Sequence, residues 1–181
     1  NTINFKNLIV ISPDVGATQR ANFYANVFQS DLGIFTKFRD YTKVIDGRNK
    51  ITLHRYSGPE LEGKDTIIVD DMIASGESIL EVAFQLKEKK AKNVYLIATF
   101  PLFTNGIEKF KEAYKNKMFK KLYTTNLTYL PDEYKKEPWI EIVDCSLILA
   151  RIINAVNLNK PISDLLDDKK EIAIYIESKT Q

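Results

Sequence analysis

Short apolar runs rich in β-branched residues recur along the chain, most of them followed by apolar positions spaced three or four apart. Leu8-Ile9-Val10-Ile11 is the first run and Thr66-Ile67-Ile68-Val69 the clearest. Asn93 to Thr99 and Ile140-Glu141-Ile142-Val143 read as further strands, Gly33 to Phe38 and Lys121 to Thr125 as weaker ones. Strands that are apolar at consecutive positions are buried on both faces, which points to a parallel sheet covered by helices. Gly76 to Lys90 reads as a helix, with Ile79, Val82, Ala83 and Leu86 at helical spacing and lysines crowding the last turn, where cations suit the dipole. Thr104 to Lys115 places Ile107, Phe110 and Tyr114 on one stripe, with Thr104 or Asn105 as cap. Ser146 to Asn157 is apolar enough to sit deep or in a subunit contact, and Asp168 to Gln181 reads as a short helix or an edge contact. The alternation predicts an α/β fold, a doubly wound and mostly parallel sheet flanked by helices, with right-handed crossovers.

Residues 40–63 break the pattern with three glycines, a proline and mixed charge around a strand-like stretch at Lys50 to Tyr56. Such a segment inside an α/β domain is expected to be a flap or a hairpin insertion. The length of 181 residues suits one domain over 1–181. Asn1 rather than methionine opens the chain and a strand begins by Leu8, so the chain is expected to be a piece of a longer protein or one with a trimmed or disordered leader.

Composition narrows the classes. Hydrophobic residues at 44% and charged residues at 28% exclude a disordered chain, a collagen or a coiled coil. Lysine plus arginine numbers 26 against 24 for aspartate plus glutamate, so bulk charge gives no sign of nucleic-acid binding. The basic run Lys109 to Lys121 reads as an amphipathic helix with a wet lysine face. Apolar runs of four or five residues are too short to cross a membrane. A single cysteine, Cys145, cannot form an internal disulfide and fits a reducing cytoplasm, most simply as a small buried side chain. Trp139 is expected under the sheet edge or in an interface, and the lone histidine, His54, at the surface.

The window that carries chemistry is IIVDDMIASGESI, Ile67 to Ile79. It reads as a buried strand, two carboxylates at its C-terminal end, a turn of small residues and a helix start. Ligands of open α/β sheets bind beyond the C-terminal ends of the strands. Asp70 and Asp71 should point to opposite sides, one facing a ligand and the other supporting the turn. Ala74-Ser75-Gly76-Glu77-Ser78 offers backbone amides at a helix N-terminus and two hydroxyls, an arrangement suited to a phosphate dianion. Gly76 would let the backbone approach that ligand without an intervening Cβ. A phosphorylated sugar is the simplest ligand with both features. The plainer reading makes Ser75 a helix cap and the aspartates a strand end.

VDDMIASGESI resembles the phosphoribosyl diphosphate loop of type I phosphoribosyltransferase folds. ISPDVGATQRA (Ile11 to Ala21), IFTKFR (Ile34 to Arg39) and ATFPLFTNG (Ala98 to Gly106) resemble, in order, further segments of the ribose-phosphate diphosphokinases, and the apolar helix followed by Lys160-Pro161-Ile162-Ser163 resembles their C-terminal helix. The similarity covers the C-terminal half of that family's protein. It implies Mg2+-dependent transfer of a diphosphoryl group from ATP to ribose 5-phosphate, giving phosphoribosyl diphosphate, in a cytoplasmic homo-oligomer. It places Lys37 and Arg39 as the catalytic cations and Asp14 as a magnesium ligand. Asp70, with Asp71 beside it, would hold ribose hydroxyls, and Ala74, Ser75, Gly76, Glu77 and Ser78 the 5-phosphate. Departures from the pattern are Ala74 where the family has a carboxylate, Glu77 within the phosphate loop, Phe38 and Thr36 in the strand end, and Phe100 in place of a histidine. The resemblance leaves two alternatives open: a phosphoribosyltransferase that consumes phosphoribosyl diphosphate, and a non-catalytic homologue that regulates an active synthase.

Overall fold

The computed structural model describes residues 3–45, 48–165 and 169–180, with the side chains at 37–45, 48–54, 164, 169–171, 173 and 179–180 outside that description. Seven strands form one sheet: β1 (Leu8–Ser12), β2 (Asp31–Ile45), β3 (Arg48–Ser57), β4 (Asp65–Ile73), β5 (Asn93–Pro101), β6 (Lys121–Thr125) and β7 (Ile140–Val143). Their order across the sheet is β3-β2-β1-β4-β5-β6-β7, and every neighbouring pair is parallel except β2 with β3. β2 and β3 form a long hairpin whose ladder runs from Ile34 opposite Ser57 to Ile45 opposite Arg48. It therefore begins before residue 40, and among the described residues of this segment only the stretch from Gly58 to Lys64 is irregular.

Alternate residues of the central strands serve opposite faces, as pleating requires. Ile9, Ile11 and Ile68 pack with Ile79, Val82, Ala83 and Leu86 of α2 (Glu77–Glu88). Leu8, Val10, Ile67 and Val69 pack instead with Ala21 and Ala25 of α1 (Thr18–Phe28). Burying Ile79, Val82 and Leu86 stabilises the α2 face by about 1.5–3 kcal/mol apiece on an area basis. α1 escapes the hydrophobic pattern because its buried stripe is two alanines four apart, small enough to let the helix lie close on the sheet and too small to register as an apolar face. It stops at Gln29, which is left-handed (φ 52°) and donates its amide to the Ala25 and Asn26 carbonyls.

The remaining helices are α3 (Glu108–Lys115), a single turn α4 (Asp132–Lys135), α5 (Ser146–Asn157) and α6 (Lys169–Thr180). α3 starts later than the sequence suggests, behind Ile107, and neither Thr104 nor Asn105 caps it. The chain spends 102–104 bracing the exit of β4 instead: the Leu102 and Phe103 amides donate to the Ile73 carbonyl and the Thr104 amide to that of Ala74. The Lys109 to Lys121 run is likewise not one helix, since it ends at Lys115 and enters β6 through a turn. Phe103, Phe110, Phe119 and Trp139 form an aromatic cluster in which Trp139 stacks on Phe110 with ring centroids 5.8 Å apart.

α5 does not sit deep. Of its side chains only Ala155 is buried, and Leu147, Ile153 and Val156 face outward. Cys145 lies half-buried at the cap position of that helix rather than in the core. α6 packs against α1 through contacts that bury Ile176. Among the described residues no helix is long and apolar enough to cross a membrane.

Candidate functional site

The chain leaves β1 towards β2 on one side and leaves β4 towards β5 on the other, while β1 and β4 lie side by side. Their carboxyl ends therefore flank the crevice where strand order reverses, the place where open α/β sheets bind ligands. Asp14 follows β1; Asp70, Asp71 and the 74–78 turn end β4. Sequence alone located the strands but not their order, and it is the order that joins these groups.

Ala74, Glu77 and Ser78 are exposed, Ser75 is half-exposed and Gly76 is buried, so the rim of the turn opens to solvent. Gly76 caps α2 in the left-handed region (φ 80°) and supplies no side chain to its first-turn amides. Among the described residues the Ser75 and Gly76 amides have no acceptor, and the Glu77 amide donates to the Ser75 hydroxyl at 3.5 Å. Amides at a helix start carry positive partial charge and hold an anion well. The requirement for glycine differs from the sequence expectation. A Cβ on Gly76 would project into the Phe110 ring beneath the turn, so glycine is needed for packing below the loop as well as for backbone conformation. Glu77 turns towards α3 and forms an ion pair with Lys109 at 2.7 Å, which draws its charge sideways from the turn.

Asp70 and Asp71 do not diverge as simple alternation along a strand suggests. Each folds an oxygen back onto the next amide, Asp70 Oδ1 accepting from Asp71 at 2.9 Å and Asp71 Oδ1 from Met72 at 2.8 Å. Both carboxylates then meet one guanidinium: Arg20 Nη2 stands 3.0 Å from Asp71 Oδ2, and Nη1 3.5 Å from Asp70 Oδ1. Burial, reinforced by the neighbouring Asp71 and Asp14 charges, pushes the Asp70 carboxyl up to about 6. At Asp71 desolvation works in the same upward direction, but Arg20 and the local hydrogen bonds overcome it and hold the group below the usual carboxylate range. Arg20 belongs to the ISPDVGATQRA segment; its spacing from the β4 aspartates gave no sign that it would clamp them.

Asp14 has a local structural task, because its Oδ1 accepts the Ala17 amide at 3.1 Å while its carbonyl accepts the Ser12 hydroxyl at 2.7 Å. Among the described residues no three carboxylate, histidine or cysteine groups converge as a closed metal cage. Magnesium is commonly held by one or two carboxylates together with substrate phosphates. Asp14 lies close enough to Asp70 for their charges to repel, which makes a pair of carboxylates and not a cage. Lys37 and Arg39 lie on β2, opposite His54 and Ile51 in the hairpin ladder, and their side chains fall outside the described ones, as does that of His54.

A family model described as the phosphoribosyl transferase domain matches residues 1–128. The chain is 33% identical over 150 residues to a ribose-phosphate pyrophosphokinase of Mycoplasma genitalium, covering 82% of this chain and 42% of that protein. It is 32% identical over 151 residues to the enzyme of that name from Staphylococcus aureus strain Mu50, covering 83% and 44%. The chain thus spans less than half the length of these two relatives. The crystal structure of phosphoribosylpyrophosphate synthetase from Mycobacterium smegmatis shares the fold, with a TM-score of 0.69 at 24% identity over 84% of this chain and 46% of that one.

Proposed function

The chain belongs to the phosphoribosyl transferase domain family, and we propose that it serves as the ribose-5-phosphate-binding part of a ribose-phosphate diphosphokinase. The observation that carries this reading is the open 74–78 turn at the start of α2, set beside Asp70 and Asp71 where strand order reverses. The turn's amides and the Ser75 and Ser78 hydroxyls receive the 5-phosphate, and the β4 carboxylates accept the ribose hydroxyls. With its phosphate seated there, the sugar presents its anomeric hydroxyl over the crevice. That oxygen attacks the β-phosphorus of ATP, the bond to the α-phosphate oxygen breaks, and AMP leaves. Catalysis of this kind rests on positioning and on neutralising charge around the transferred group.

Lys37 and Arg39, which match the family's catalytic cations, would stabilise the negative charge that develops on the transferred group. Asp14 would supply a ligand to magnesium, which screens the phosphates when bound. Asp70 enters this scheme as an acceptor for hydroxyls; a carboxyl near pH 6 is ionised for that purpose at neutral pH and above. The names of the relatives favour pyrophosphokinase over a transferase that consumes phosphoribosyl diphosphate, and the latter would release diphosphate with a nucleobase and need no ATP.

Amide chemical shifts test the reading. Ribose 5-phosphate and inorganic phosphate should both move the 74–78 amides, and free ribose should leave them in place. Ribose 5-phosphate that moves none of those amides sinks the proposal.

A further inference from the structure

At the opposite, N-terminal edge of the sheet, a cavity of about 860 Å³ opens beside the first residues of β5 and β6. Its size lies in the range of small-molecule sites, roughly 300–1,000 Å³. Lys92, Lys115, Lys117 and Lys120 line it, and none of the four has a carboxylate partner among the described residues. The acidic side chain in the lining, Glu141, is engaged by Lys121 at 3.0 Å, and Lys87 is committed to the Ala91 and Lys92 carbonyls, each at 2.9 Å. Unpaired cations around a concave wall focus positive potential into it.

The wall also carries an aromatic residue. Tyr95 lines the same cavity at 1% exposure, and its buried hydroxyl has no hydrogen-bond partner. Buried polar groups are nearly always satisfied, and an orphan costs about 1–3 kcal/mol. Burial first, then the nearby Asp65 charge, pushes this hydroxyl up to about 12, so at neutral pH it remains a donor. Lys120 Nζ stands 5.9 Å from the centroid of the same ring.

We propose that this cavity binds a small anion carrying two or more phosphoryl groups, neutralised by Lys115, Lys117 and Lys120. Nine residues of β5 separate it from the other end of the sheet, roughly 25–30 Å at ordinary strand rise. The site is thus independent of the ribose phosphate reading, and either can fail alone.

Calorimetric titration of inorganic triphosphate, with a non-hydrolysable nucleoside triphosphate in a second arm, tests it. Wild type should bind triphosphate, and Asp70→Ala/Ser78→Ala should bind it within twofold as well. Lys117→Gln/Lys120→Gln should weaken binding at least tenfold. Tighter binding of the nucleotide assigns a base to the ligand, and equal binding assigns the phosphoryl chain alone; both support the site. No triphosphate binding to wild type, equal binding by all variants, or loss only in the Asp70→Ala/Ser78→Ala variant overturns it. Binding of an oligonucleotide without any binding of triphosphate overturns it in favour of a nucleic-acid surface.

Discussion

The ring of Phe110 occupies the space into which a side chain on Gly76 would project. The helix α3 thereby supports, from below, the turn that is open to solvent above. Gly76→Ala meets two penalties together, a left-handed backbone at about 1–2 kcal/mol and a forced shift of a packed ring at about 1–3 kcal/mol. Thermal melting should show a loss of about 2–4 kcal/mol, with ribose 5-phosphate binding falling more than the loss of folded protein explains. A variant that melts like wild type contradicts the packing role of this glycine.

Arg20 should contribute in a pH-dependent way. Asp71 is held below its ordinary 3.8 in the folded chain, so the contact stabilises the fold above that pH and the benefit is lost as pH falls through the lowered value. Arg20→Met is therefore expected to destabilise by about 0.5–1.5 kcal/mol at pH 7, a modest figure because both side chains are partly solvated. The difference from wild type should shrink towards pH 3 in denaturant melts.

Asp70 has the opposite sign. Its carboxyl is raised from 3.8 to about 6, so its contribution is fully present below 3.8 and is lost as pH rises through 6. Asp70→Asn keeps an acceptor for the Asp71 amide and removes the charge. At pH 7.5 it should be more stable than wild type, by at most about 3 kcal/mol. The advantage should vanish near pH 3.5. Ribose 5-phosphate should nevertheless bind the variant less tightly, because the anionic acceptor for the hydroxyls is gone.

Lys109 tests whether Glu77 is kept away from the ligand. The pair is exposed on both sides, so Lys109→Met should change stability by less than about 0.5 kcal/mol. Releasing Glu77 beside the turn should weaken ribose 5-phosphate severalfold, and Glu77→Gln in the same background should restore it. Unchanged affinity in the single variant contradicts this role for the ion pair.

Much of this architecture was legible because the β1, β4 and β5 strands are apolar at consecutive positions and α2 carries its four buried residues at helical spacing. α1 was not legible, since its contact face is built from Ala21 and Ala25, whose small size makes the packing close and the pattern faint. The β4 carboxylates and the turn could be read because they are contiguous in sequence. Their relation to Arg20 could not, because a β-strand exit that curls back on its own amides brings together side chains that regular alternation sets apart. The same holds for Phe110, whose position beneath Gly76 depends on how α3 seats on the sheet.

The most direct measurement is a calorimetric titration of ribose 5-phosphate, with ribose and inorganic phosphate run separately, into wild type and into Asp70→Ala/Ser78→Ala. The whole sugar phosphate is expected to bind wild type more tightly than either part, and the double variant is expected to lose at least tenfold in affinity while remaining folded. Equal heats for the two proteins, or no heat with wild type, contradict a sugar-phosphate site at the end of β4.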